Sequence, residues 1–366
     1  MALSNLQLSL AVAGGLVLAA VVAHGAWTSR KNRPRQAEPQ PTAPDSRGLG
    51  TDGGAASGGM IEPSLDGHFG VGVYAVPPVA KLPPLDALVD VIAPVSLDAP
   101  VSGDAILAAL PTTRRVGSKP FSVEALRVDN GEWEPATAGQ RYGALQVGVQ
   151  LANRMGALKD IEYSEFVVKA QAFADALNAA IEFPEMRHEI LRAKELDTFA
   201  SEHDAQLGFT LRARQAAWSP GFIAQHAARL GFVPGVMPGR MVLPAGGFAG
   251  ASAGLPPTGF AAAPILTLEF DAQAALADDP NQTAIRELAL GLDVPQVARA
   301  ERPFVQLRDV AQALAQVMDG VVTDDNGRPL PTDAMDIIGS ELETLYDTLD
   351  AREFSAGSAL ARRLFS

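Results

Sequence analysis

An uncharged apolar stretch from Leu6 to Trp27 runs directly into the basic cluster Arg30, Lys31, Arg33 and Arg35, and it constrains this chain more than any other feature. At ~1.5 Å rise per residue, a helix of about 22 residues covers the ~30 Å hydrocarbon core of a bilayer. The stretch therefore predicts one transmembrane helix. Leu6, Leu10, Leu16 and Val22 fall within the span, Trp27 at its interface, and Arg30 and Lys31 on its basic flank. A secretory signal peptide would carry positive charge before the apolar run, whereas Met1 to Asn5 has no charged side chain. A buried core helix fits poorly with a flank that is charged and then Pro-rich. The positive-inside rule keeps the basic cluster, and everything after it, in the cytoplasm.

The juxtamembrane string HGAWTSRK, from His24 to Lys31, resembles the same region of the bacterial cell-division family ZipA. That family implies an inner-membrane location, with a periplasmic N-terminus and cytoplasmic domains.

The rest of the chain suits a large cytoplasmic body. Its 366 residues are 47% hydrophobic, enough for two or three cores, and the absence of cysteine excludes disulfides and thiolate sites. The formal net charge is -13, and residues 1–35 carry four Arg/Lys and no Asp/Glu, so about -17 rests on the remainder. A body so acidic repels phosphate backbones, which argues against nucleic acid as a partner.

Residues 36–84 open with Pro, Gly, Ala and Ser, without apolar periodicity, and read as a flexible linker or as a polyproline ligand, the tether being preferred. Whether His68 to Pro84 docks on the next domain is left open by its composition.

From Leu85 one architecture is used twice. Residues 85–204 predict strands near Leu88–Val95, Phe121–Val128 and Gly143–Leu151, with helices at Gly103–Leu110, Ser164–Asn178 and after Pro184. In the strand at Gly143–Leu151, Leu145, Val147, Val149 and Leu151 alternate with Ala144, Gln146, Gly148 and Gln150, the period of two of a half-buried strand.

Residues 205–353 repeat the order. Leu207, Phe209 and Leu211 alternate along a strand, Ser219-Pro220 caps a helix, and strands follow at Val236–Leu243, Ile265–Phe270 and Arg286–Val294. A helix at Pro303–Met318, a hairpin at Asp325-Asn326-Gly327 and a helix at Thr332–Leu349 complete the copy. The fold class is α+β: two tandem split β-α-β domains, each an antiparallel sheet with helices on one face. The tail 354–366 carries Leu360, Leu364, Phe365 and Arg362-Arg363; it touches the membrane or frays, and fraying is the preferred reading.

Phe304 through FVQLRDVAQALAQVMDGVVTDDNGRPL to Leu349 is similar to the C-terminal domain of the ZipA family, with Val294-Pro295 at the family's distance from Phe304. The resemblance implies that the sheet's open face binds the C-terminal tail of the tubulin-like protein FtsZ and ties filaments to membrane lipids. The implied face comprises Thr210 and Arg212, Met237, Thr267 and Glu269, and Ala289 and Gly291. The sequence departs from the family in placing Ala289 and Gly291 where a large apolar side chain would make the groove. The corresponding face of the first copy is equally bland, so that domain binds another division protein, self-associates or acts as a spacer. An envelope scaffold that kept the fold without FtsZ binding is the alternative.

Nothing points to catalysis. His24, His68, His188, His203 and His226 lack metal-ligand spacing, and His188-Glu189 has no second histidine at zinc-protease distance. Gly246–Gly254 lacks the following helix and Lys-Ser/Thr of a phosphate loop, and Asp324-Asp325-Asn326-Gly327 lacks the later glutamate of a calcium loop. No catalytic serine signature occurs. The expectation is no enzyme, no cofactor and no metal.

Overall fold

A computed structural model describes residues 34–36, 84–245, 264–277, 279, 283–324 and 326–366. The predicted span, with Leu6, Leu10, Leu16, Val22, Trp27, Arg30 and Lys31, lies outside the described residues, as does most of the predicted linker. No helix among the described residues is long and apolar enough to cross a membrane.

The first sheet is built from β1 (Asp90–Ser102), β2 (Arg115–Val116), β3 (Lys119–Arg127), β4 (Trp133–Glu134), β5 (Arg141–Gln150) and, after the small hairpin β6 (Ala152–Asn153) and β7 (Gly156–Ala157), β8 (Ala180–Ile181). Helix α1 (Gly103–Ala109) follows β1, and its cap is Ser102, whose hydroxyl oxygen accepts from the Ala105 amide. Helices α2 (Asp160–Ala176) and α3 (Met186–His203) flank β8. The sheet order is β2-β3-β5-β1-β8, with β4 on β3.

The second sheet holds β9 (Gln206–Ala213), β10 (Val233–Pro234), β11 (Arg240–Leu243), β12 (Leu266–Glu269), β13 (Glu287–Asp293) and β14 (Gly320–Thr323), in the order β10-β11-β12-β13-β9-β14. Its helices are α4 (Pro220–Arg229), the short α5 (Ala272–Ala275), α6 (Pro303–Met318) and α7 (Thr332–Ala351); α8 (Ala359–Leu364) ends the chain. Every ladder in both sheets is antiparallel.

The two sheets share a plan. In each, the first strand (β1, β9) lies between the strand preceding the long central helix (β5, β13) and the strand following it (β8, β14). The second sheet differs in inserting β12 between β11 and β13. Alternation decides which face is buried: Phe209, Leu211, Leu266, Leu268, Leu288, Leu290 and Leu292 face a core that includes Phe304, Leu307, Val310, Leu314 and Met318 from α6.

Three expectations change. Of the strand predicted at Val236–Leu243 only Arg240–Leu243 is strand (β11); residues 236–239 are the turn that joins it to β10, with Gly239 at φ 75°. Met237 consequently lies in that turn, 62% exposed, and not on a strand.

The first sheet's other face is not uniformly open. Gly148 and Gln150 are buried; a β-carbon on Gly148 would lie 2.4 Å from Leu85 Cδ2, and Gln150 Nε2 donates to the Arg363 carbonyl at 2.7 Å.

The tail does not fray. Ser358 caps α8, Leu364 and Phe365 are fully buried, and Phe354 packs on Phe199 of α3 with ring centroids 5.7 Å apart. The tail therefore joins the two halves, and Val89, Ala152 and Ala200 of the first half are buried in the same cluster as the second core.

Candidate functional site

The face of the second sheet turned away from its helices follows from period two. One cross-strand row runs Val242–Thr267–Gly291–Gly208, and the next runs Arg240–Glu269–Ala289–Thr210, with Arg212 opposite Glu287 beyond it. Six of the seven sequence-predicted residues, Thr210, Arg212, Thr267, Glu269, Ala289 and Gly291, thus share one face. Met237 is at the edge turn, apart from them.

The floor of this face is low. Gly208 and Gly291 are directly opposite, so two adjacent strands present bare backbone. Thr267 leans into the space: a β-carbon on Gly291 would meet its Oγ1 at 2.7 Å. Bare backbone lets a partner's main chain approach closely, at the expense of side-chain contact.

Charges border the floor in pairs. Arg240 Nε is 3.2 Å from Glu269 Oε1, and Arg212 Nη2 is 3.4 Å from Glu287 Oε2. Both pairs are solvent-exposed, so they shape the border more than they stabilise it.

At one end the face deepens into a groove of about 520 Å³ over Thr267, Gly291 and Leu292. Its end wall belongs to other parts of the chain. Arg154 reaches across from the loop between β6 and β7, bonding Asp204 at 2.6 Å and Asp293 at 2.7 Å. These two carboxylates raise the guanidinium's pKa and fix it as a cation. Phe365 and Ser366 complete the wall, held by Gln296 Nε2 donating to the Phe365 carbonyl at 2.6 Å and by the Arg154 amide donating to the Ser366 carbonyl at 3.2 Å.

Gly208, Arg240 and Val242 were missed from sequence. Gly208 was legible, because it precedes Thr210 by two on the same alternation. Arg240 and Val242 were hidden by the misplaced strand start, and the end wall depends on long-range docking that no local pattern reports.

The remaining sequence candidates that are described are dispersed; His24, His68 and Gly246–Gly254 lie outside the described residues. Asp324 Oδ1 accepts from the Asn326 and Arg328 amides at 2.9 and 2.8 Å, closing the hairpin turn. His203 stacks on Phe199 and His226 packs edge-on against Phe222, each with centroids 4.4 Å apart, while His188 lies beside Glu189. Among the described residues no group of three His, Asp or Glu has the geometry to hold a metal.

The fold and this face define a class: an α+β module whose antiparallel sheet carries helices on one side and leaves the other side open. Residues 275–340 match the family model described as ZipA, C-terminal FtsZ-binding domain, which bears out the resemblance over that stretch. The match takes in β13 and α6 and reaches into α7, and it includes Ala289 and Gly291 from the face. No curated protein matches the chain.

Proposed function

We propose that the chain is a cell-division protein whose second sheet receives the C-terminal tail of FtsZ, and that the apolar stretch Leu6–Trp27 ties this module to the inner membrane. The observation that carries the reading is the match of residues 275–340 to the ZipA FtsZ-binding family, on a module with an open face next to a groove. A short peptide would lie along the Thr267–Gly291–Gly208 row, its main chain close to the two glycines and its apolar side chains toward the groove. The paired charges at the border would set its register and exclude wrong partners.

Anchoring strengthens weak contacts. Many filament subunits present tails together, so modest affinity per tail becomes firm attachment once the receptors share a membrane plane. No chemical step is involved, in keeping with a non-enzymatic scaffold.

A second reading, an envelope scaffold without FtsZ binding, is favoured by one feature. The Gly208, Gly291 and Ala289 floor supplies little apolar area to hold a peptide.

Reconstitution tests the whole proposal. Vesicles carrying the full chain are expected to recruit FtsZ filaments, and FtsZ lacking its C-terminal tail is expected to stay in solution. Recruitment that ignores the tail would contradict the binding mode; no recruitment by vesicle-bound chain would favour the scaffold.

A further inference from the structure

Arg35, the last residue of the basic cluster that follows the apolar stretch, is docked on the second half of the molecule. Its amide donates to the Ala217 carbonyl at 2.7 Å, and its carbonyl accepts from the Ser219 amide at 2.9 Å, so it pairs in parallel with Trp218. Trp218 in turn exchanges two main-chain bonds of 2.8 Å with Ile285. The side chain is held as well: Arg35 Nη1 donates to the Met318 carbonyl and Nη2 to Asp319 Oδ2, both at 3.1 Å.

The receiving notch is built. Ala217, Trp218, Ser219 and Met318 are fully buried, and the Trp218 indole also donates to the Met318 carbonyl, at 2.8 Å. Met318 ends α6, where unsatisfied carbonyls and the helix dipole favour a cation, and Asp319 adds a formal charge. Among the described residues no other cation forms a salt bridge with Asp319. Main-chain pairing together with a guanidinium on a helix C-terminus selects an extended segment carrying arginine.

We propose that Pro34–Gln36 is an intramolecular latch that holds the second half of the molecule against the N-terminal segment. Closed, the latch leaves six residues between Trp27 and Pro34, at most about 25 Å of extended chain from one to the other. Open, the second half connects to Trp27 only through the stretch read as a tether and then through the whole first half. Because the segment and its notch belong to one chain, closure is intramolecular and a weak contact suffices. The latch thus sets the reach of the partner-binding face. Its placement near a bilayer rests on the proposed membrane span; the intramolecular contact does not.

The absence of cysteine makes a label pair simple to introduce into the full chain. Spin labels at Gln36→Cys and Gln316→Cys, the latter exposed near the end of α6, are expected to give one narrow short distance in bilayer discs and in detergent. Arg35→Glu is expected to reduce that population by about fivefold or more. In the unlabelled chain the Ser219 amide should exchange slowly, and faster in Arg35→Glu, which guards against a label that itself opens the notch. A broad distance distribution that Arg35→Glu leaves unchanged, with rapid Ser219 exchange in both proteins, would overturn the latch. Vesicle co-sedimentation reports separately on the span, and a short distance in a chain that ignores vesicles would still support the latch.

Discussion

The Arg363 guanidinium near the end of the chain pairs with the Asp90 carboxylate at the start of the first strand. Asp90 is 1% exposed, and the same arginine also donates to the Pro84 carbonyl at 3.2 Å, so the tail closes over the entry to the first sheet.

Removing the arginine leaves a buried carboxylate unpaired. Arg363→Met is expected to destabilise the fold by about 3–5 kcal/mol at neutral pH, and adding Asp90→Asn should restore most of the loss. Denaturant unfolding of the two variants checks both.

Asp90 also carries a pH signature. Burial holds its carboxyl above the usual aspartate range, although the bond and charge of Arg363 pull it down. The folded state then binds the proton more tightly than the unfolded chain. Asp90's own contribution therefore favours folding at low pH and is lost as pH rises through its folded-state pKa. Arg363→Met raises that pKa further, so the variant's deficit should shrink as the solution is acidified. Unfolding free energies measured across pH for both proteins decide this.

Tyr346 gives a slope of the same sign at the alkaline end of the range. Burial pushes its phenol up to about 12, and its hydroxyl is buried without a hydrogen-bond partner. The unfolded chain ionises first, so stability should fall as pH rises above the ordinary phenol value. Tyr346→Phe removes an unsatisfied polar atom, should stabilise by about 1 kcal/mol at neutral pH, and should flatten the alkaline decline. Thermal unfolding from about pH 9 to 11, one unit either side of the ordinary phenol pKa of about 10, would show it.

Phe365 belongs both to the core and to the groove wall, because it is fully buried and also lines the groove. Phe365→Ala is expected to cost about 3–5 kcal/mol of stability. Calorimetry should show the loss.

Where local rules apply, the sequence was a good guide. Gln206–Ala213 and Glu287–Asp293 alternate so regularly that their outward positions follow from the pattern, in agreement with the face that the resemblance implies, and Ser102, Ser219 and Pro303 mark helix starts that the structure keeps. The pattern failed where two turns of chain resemble one strand. Val236 to Leu243 reads as one strand, yet the turn at Gly239 folds Arg240–Leu243 back on Val233–Pro234 and leaves Met237 out of the sheet.

The tail's docking was hidden for a different reason. Ser358 followed by Ala361, Leu364 and Phe365 is a cap and an apolar stripe, a helix signal in a stretch of thirteen residues. So short a helix is stable only through the surface that it meets, and that surface comes from both halves of the molecule. The Arg35 contact is likewise tertiary: the sequence assigned the whole basic cluster to the membrane flank.

The central claim is that the Thr267–Gly291–Gly208 floor receives the FtsZ tail, and a titration of labelled FtsZ C-terminal peptide into the full chain, followed by fluorescence anisotropy, tests it most directly. Saturable binding is expected, weakened about tenfold or more by Gly291→Asp, which puts a charge and a side chain on the floor, and little changed by Met237→Asp in the edge turn. Absence of saturable binding, or binding that Gly291→Asp leaves intact, would contradict it.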